Sequence, residues 1–178
     1  MQVHQAYILA ALTFAAPIGT AIGLHMMLAW LGLATVERYD LQLTVHSQLQ
    51  VYGFVVLFTM GVALLMLPKV LGTKVKPVSL AYFGLALMLS GIGANVWDLP
   101  HLGAALQSFS AISFLVVVSF TRRGASLKRE RKSPVTRKQA AFLGCGGLWL
   151  VASPGLSLLD ATIALESVLW GFAGLYVA

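Results

Sequence analysis

From Leu43 to Leu67 the chain reads LTVHSQLQVYGFVVLFTMGVALLML, an almost unbroken apolar run without a carboxylate, lysine or arginine. A helix needs about 20 such residues to cross the hydrocarbon core of a bilayer. Because the backbone must satisfy its own hydrogen bonds there, such a segment forms a helix rather than an open sheet. A membrane β-barrel would show alternating segments of ~10 residues, and none is present. The run therefore predicts a transmembrane helix.

The composition of the whole chain supports the same class. Of its 178 residues, 58% are hydrophobic and only 10% are charged, and the mean hydropathy is +0.84. Soluble domains carry roughly 25% charged residues, so we interpret the chain as an integral membrane protein. A single cysteine, Cys145, excludes an intrachain disulfide and a CxxC metal site. The N-terminus lacks the basic region of a signal peptide, so we expect a first span there.

Six apolar runs, separated by polar or charged connections, predict an all-α, polytopic transmembrane helix bundle that forms one domain over residues 1–178. The fifth run is short and rich in glycine, so its length is marginal for a full crossing. The predicted spans cover residues 6–33, 43–67, 78–97, 102–120, 139–153 and 161–178.

The basic residues are concentrated in two of the connections. Of the 12 lysines and arginines, all but Arg38 lie at 69–76 or 122–138. By the positive-inside rule, these connections and the N-terminus are cytoplasmic, in a multi-pass protein of a bacterial-type inner (plasma) membrane. Basic groups beside a bilayer favour anionic lipid headgroups. The lipid bilayer is therefore the expected partner, and nucleic acid is not.

His46 lies near the outer end of the second span, and an ionisable side chain inside a span indicates a functional site. Gln50 and Gly53 follow it on the same helix face. Neutral imidazole is a good axial ligand for haem iron. Gly53 would leave space for a porphyrin edge, and Gln50 would orient the ring or contact a propionate. The alternative is an interfacial histidine that hydrogen-bonds to a neighbouring helix.

Other ionisable residues offer weaker candidates. His25, deeper in the first span, is either a second haem ligand or an interhelical hydrogen-bonding residue. Glu166, the one acid inside a span, indicates a proton path, a partner site or an interhelical hydrogen bond. His101 is interpreted as a solvated loop residue, and His4 lies at the opposite side. Without a nucleophile elbow, phosphate-binding loop or HExxH motif, the sequence predicts no catalytic residue and no copper or zinc centre.

The C-terminal end suggests a truncated chain or half of a larger fold. A sixth helix from Ala161 would only just reach the inner interface at ~1.5 Å per residue, and no polar tail follows Ala178. The triplet WGF at 170–172 also resembles YGF at 52–54. If this weak similarity is a true repeat, it marks corresponding helices in two halves.

The second span resembles a known family. The residues VHSQLQVYGFV at 45–55, followed by MGVA at 60–63 and LPK at 67–69, are similar to helix II of the haem–copper oxidase subunit I superfamily. The likeness is strongest to its NnrS-like and short oxidase-like members. Helix number and loop charge extend it loosely over most of the chain.

The resemblance implies that His46 is one axial ligand of a low-spin haem, and that this chain is the first half of a twelve-helix fold. It also implies a role in nitric oxide response or in respiratory electron transfer, with other membrane subunits or a missing C-terminal half as partners. Two departures limit it: the sixth span has no histidine to begin a copper site, and Gln48 replaces the second histidine of many relatives.

Oxygen reduction by this chain alone is therefore not supported, because no complete haem–copper site is present in the sequence. Two alternatives stay open beside a haem protein. One is a non-haem structural or assembly protein of the membrane. The other is a small transporter that uses Glu166.

Overall fold

The computed structural model describes residues 1–126 and confirms the all-α class for that part of the chain. Four of its helices are long and apolar enough to cross a membrane, and they correspond to the first four predicted spans. The predicted fifth and sixth spans, with Cys145 and Glu166, lie outside the described residues. The helices are span 1 (Val3–Trp30), span 2 (Tyr39–Leu71), span 3 (Val78–Val96) and span 4 (Pro100–Gly124).

Span 1 is a helix as predicted, but its winding changes near the middle, where Pro17 lies. Proline has no N–H to donate, and its ring collides with the carbonyl group four residues earlier, so the helix must bend or widen. The hydropathy of the sequence does not reveal this change in winding, because the apolar composition continues through it. The parts of span 1 are α1 (Val3–Thr13), a π-helical segment (Phe14–Gly19) and α2 (Thr20–Trp30).

Span 2 begins at Tyr39, before the apolar run that marks its predicted start at Leu43. Asp40 lies in the first turn, where the helix dipole stabilises a negative charge, so the helix extends through polar residues. At the other end Gly72 has a φ of +63°, a left-handed conformation that glycine adopts readily after a helix. The parts of span 2 are α3 (Tyr39–Gln48), a second π segment (Leu49–Val56) and α4 (Leu57–Leu71).

Spans 3 and 4, which form α5 (Val78–Val96) and α6 (Pro100–Ser126), pack along each other through small and polar residues. The Ser110 hydroxyl donates a hydrogen bond to the Gly84 carbonyl oxygen at 2.7 Å. Span 1 joins them through Tyr7, whose buried hydroxyl donates to the carbonyl oxygen of Ala81 at 2.8 Å. The four helices therefore share one core.

The outward faces of the bundle are apolar. Only 17% to 39% of the residues in the apolar window of each span are buried inside the described bundle. Leu12, Phe83, Phe109 and Phe120 are among the large exposed side chains. Extensive exposed apolar surface marks contact with lipid or protein. The described residues thus have the character of a multi-pass membrane protein.

Charged residues of the described part are separated between the two ends of the bundle. The connection between spans 2 and 3 is held at one end, because the Lys76 backbone N–H donates to Oγ1 of buried Thr121 at 3.2 Å. His46 lies towards the other end, where the described acidic residues are found. The basic end carries Lys69, Lys74, Lys76, Arg122 and Arg123, and the acidic end carries Glu37, Asp40 and Asp98 beside Arg38.

Candidate functional site

His46 lies in α3, shortly before the second π segment, and is half-buried against span 1. Its Nδ1 atom is 3.1 Å from the carbonyl oxygen of Gly19. A carbonyl oxygen can only accept, so Nδ1 donates in this contact; in the neutral tautomer that matches it, the lone pair lies on Nε2. Within residues 1–124 no group forms a hydrogen bond with Nε2. In that tautomer Nε2 is the ring nitrogen available to bind a metal.

Two glycines of span 1 make room for this histidine. A Cβ atom added to Gly23 would lie 2.8 Å from Cε1 of His46 and 3.5 Å from each ring nitrogen. Any side chain at that position would push the ring away from Gly19. The GxxxG spacing of Gly19 and Gly23 indicates close helix packing. The spacing alone does not predict that His46 is the side chain that packs against these two glycines.

Gln50 and Gly53, predicted to share a face with His46, also lie against span 1. An added Cβ on Gly19 would be 2.6 Å from Nε2 of Gln50, so the Gln50 amide rests on that glycine. An added Cβ on Gly53 would be 3.0 Å from Cβ of Phe14. The space left by Gly53 is therefore filled by Phe14, and a porphyrin edge could pass there only if Phe14 moved.

His25 lies in a different environment from His46. Its Nδ1 atom is 3.1 Å from Oε1 of Gln42, and its ring is exposed. It borders an open groove of about 390 Å³ between spans 1 and 2, to which His46 does not contribute. The structure thus does not bring His25 and His46 into one groove. The groove is lined by Ala21, Ile22, His25, Leu41, Gln42 and Val45.

The remaining histidines are placed apart from this region. His101 is exposed at the start of span 4, and His4 is half-buried in α1 at the basic end. Among the described residues no group of three His, Cys, Asp or Glu side chains comes together to hold a metal ion. Haem differs from a bare ion in this respect, because the porphyrin supplies most of the ligands and the protein adds one or two.

A cluster of three amide side chains, two of them buried and one half-buried, joins spans 2, 3 and 4. Oε1 of Gln48 accepts hydrogen bonds from Nδ2 of Asn95 at 3.2 Å and from Nε2 of Gln107 at 2.9 Å. Asn95 is 8% exposed and Gln107 only 1%. A buried polar group left without a partner costs about 1–3 kcal/mol. The cluster therefore fixes Gln48 relative to two other helices.

No pattern in the sequence pairs these three residues. Asn95 stands at the outer end of its predicted span, where a polar residue is ordinary. Gln107 does indicate that such a cluster exists, because an amide inside an apolar run is expected to hydrogen-bond to a polar partner on another helix. The identity of that partner depends on how three helices pack, which one sequence does not reveal.

Comparison of the chain with models of known families, with curated proteins and with solved structures finds no match. The fold and the candidate site still indicate a broad class of protein. The described part of the chain is an all-α bundle whose helices suit a bilayer, with the imidazole of His46 packed between spans 1 and 2. The likeness to haem–copper oxidase subunit I therefore depends on the sequence motif of span 2.

Proposed function

We propose that this chain is a haem-binding membrane protein in which Nε2 of His46 is an axial ligand of the iron. The observation that carries the proposal is the hydrogen bond from Nδ1 of His46 to the carbonyl oxygen of Gly19 at 3.1 Å. Histidines that bind metals almost always donate their other N–H to a carboxylate, a backbone carbonyl or water, which fixes the tautomer and the ring orientation.

The residues around His46 fit such a ligand in donor chemistry. The described structure supplies one imidazole nitrogen with a free lone pair, while Gly19 and Gly23 hold the ring in one orientation. A bound haem would supply a redox-active iron whose potential depends on its axial ligands and their hydrogen bonds. The role of this chain is then to orient the imidazole and keep its proton on Nδ1.

The second axial ligand is assigned to a group outside these 178 residues, such as another membrane subunit, because residues 127–178 contain no histidine or methionine. His25, the other candidate, donates to Gln42 and borders a groove that His46 does not share. The resemblance supports the same assignment, because the oxidases place their second low-spin ligand in the C-terminal half. Gln50 and Gly53 act in this proposal through the packing of spans 1 and 2.

The biological role proposed for the haem is electron transfer in a respiratory chain or a response to nitric oxide. Both come from the family resemblance of span 2. The separation of charge between the bundle ends supports an orientation in a bacterial-type inner membrane. In that orientation the N-terminus is cytoplasmic and His46 faces the outer side.

A second candidate, a structural or assembly protein without haem, is favoured by the same hydrogen bond. The contact between His46 and Gly19 joins two helices and needs no iron to do so. This is the contact that the interfacial interpretation of His46 predicts. The transporter alternative depends on Glu166, which lies outside the described residues.

Pyridine haemochrome spectra of the purified full chain test the proposal. We expect haem in the wild type and in His101→Ala, which removes an exposed histidine. We expect loss of the Soret band in His46→Ala, with size-exclusion profiles showing that both variants fold. Absence of haem from the wild type, or an unchanged Soret band in His46→Ala, would contradict the proposal and favour the structural candidate.

A further inference from the structure

His46 and Gln48 anchor span 2 from two different sides. They are two residues apart, so their side chains point about 200° apart around an α-helix. His46 contacts Gly19 and Gly23 on span 1, whereas Gln48 contacts Asn95 on span 3 and Gln107 on span 4. The short segment between Val45 and Leu49 is thus tied to all the other described spans.

The side of span 2 that carries Gln48 is closely packed against spans 3 and 4. Gln107 and Asn95 are almost completely buried, and both donate to the same oxygen of Gln48. The helices approach closely around them, since a Cβ added to Gly91 would lie 2.8 Å from Cγ of Gln107. A Cβ added to Gly103 would contact the Asn95 side chain still more closely. A rotation of span 2 would break both hydrogen bonds and leave buried amides without partners, which is unfavourable in a low-dielectric interior.

Gln48, the member of the amide cluster on span 2, lies directly before the π segment of that helix. The π-helical segment begins at Leu49, directly after Gln48. A π segment winds differently from an α-helix, so the contacts of α4 do not by themselves determine which way α3 faces. A tie on the α3 side of the segment acts on the direction of His46 without passing through the π winding, and Gln48 is the last residue of α3.

We propose that Gln48, Asn95 and Gln107 form an amide clamp that fixes the rotation of span 2 and thereby holds His46 against Gly19 with its proton on Nδ1. These three are positioning residues, since they act on His46 through the helix. The consequence for iron binding rests on the proposed haem function. The clamp itself does not, because it determines the tautomer of His46 with or without haem.

The haem-free full chain, labelled with ¹⁵N-histidine in detergent micelles, tests the clamp directly. We expect the wild-type His46 signal, assigned by its absence in His46→Ala, to show a protonated Nδ1. In Gln48→Leu and Gln107→Leu we expect a shift towards protonated Nε2, the form that an unconstrained histidine favours. Gln42→Leu is the matched control, because Gln42 lies on the same helix but pairs with His25, and it should leave the His46 signal unchanged.

Haem titration of the same proteins gives the second readout. We expect affinity to fall roughly 10- to 100-fold in the clamp variants, the range seen when partners of metal ligands are removed, and to stay unchanged in Gln42→Leu. If Gln48→Leu does not fold, Gln107→Leu, which removes a single donor, carries the test. A wild-type His46 signal in the folded clamp variants would overturn the clamp. A wild type that binds no haem would overturn the proposed function alone, because the tautomer measurement still decides the clamp.

Discussion

Gly23 and His46 show how the absence of one side chain places another. The imidazole ring occupies the space where a Cβ on Gly23 would be, and its Nδ1 reaches the carbonyl of Gly19 one turn away. The sequence predicts His46 as the candidate ligand and the two glycines as packing positions. It does not connect the two predictions, because the register between spans 1 and 2 depends on how both helices wind.

Gly23→Ala is therefore expected to displace the His46 ring. The added Cβ would lie 2.8 Å from Cε1, and overpacking of this kind typically destabilises by about 1–3 kcal/mol. Denaturant unfolding in mixed micelles and haem content measure the effect. Gly93→Ala is the control, because nothing lies within 4 Å of an added Cβ there, and it should be neutral or stabilising by about 0.5–1 kcal/mol. Equal stability and haem content in the two variants would refute this placement of His46.

Tyr7→Phe tests the contact between spans 1 and 3. Tyr7 is fully buried and its hydroxyl donates to Ala81. Loss of this hydrogen bond should lower the free energy of unfolding by about 0.5–1.5 kcal/mol. Tyr82→Phe removes an exposed hydroxyl that donates to the Met1 carbonyl oxygen, so it should change stability by less than about 0.5 kcal/mol. A larger loss in Tyr82→Phe than in Tyr7→Phe would show that the buried contact is misplaced.

At the scale of helices, two π segments face each other across the interface of spans 1 and 2, where Phe14 packs on Gly53. Hydropathy predicts that four helices exist in the described part, since each has the length and composition of a span. It does not predict their internal winding. Pro17 is a visible cause for the first segment, but span 2 has no proline within the second. No local residue in span 2 explains the second segment, which lies opposite the first across the interface of the two helices.

Replacing Pro17 with alanine should destabilise the fold, although alanine is the better helix former. A regular α-helix there would rotate α1 relative to α2, so the contact of Tyr7 with Ala81 and that of Gly19 with His46 could not both be kept. Thermal unfolding of the purified protein measures this. Pro68→Ala, near the end of α4, should be neutral or stabilising. A higher melting temperature in Pro17→Ala would mean that the π segment has no role in the register of the helices.

At the scale of the whole molecule, hydropathy predicts the helical membrane bundle and the charge pattern predicts its two different ends; these are the clearest predictions from the sequence. The described part is an all-α bundle with apolar outward faces and opposite charge at its two ends. The candidate site is only half predictable. His46 is evident because an imidazole in a span is unusual, whereas the amide clamp joins residues on three helices that no local pattern relates.

The proposed orientation rests on the positive-inside rule applied to the basic end, and labelling tests it. In a Cys145→Ser background, a cysteine replacing exposed Leu99 should react with a membrane-impermeant maleimide added to intact cells. A cysteine replacing Lys74, at the basic end, should react only after the membrane is permeabilised, because basic connections stay in the cytoplasm. The reverse pattern would place His46 at the inner surface and contradict the proposed orientation.

The proposed function requires that His46 bind haem iron through Nε2. The most direct measurement is the visible spectrum of purified His46→Gly with and without added imidazole, beside the wild type. We expect the variant to lack the wild-type Soret band and free imidazole, filling the space left by the ring, to restore it. A wild-type Soret band in His46→Gly without imidazole would contradict the claim.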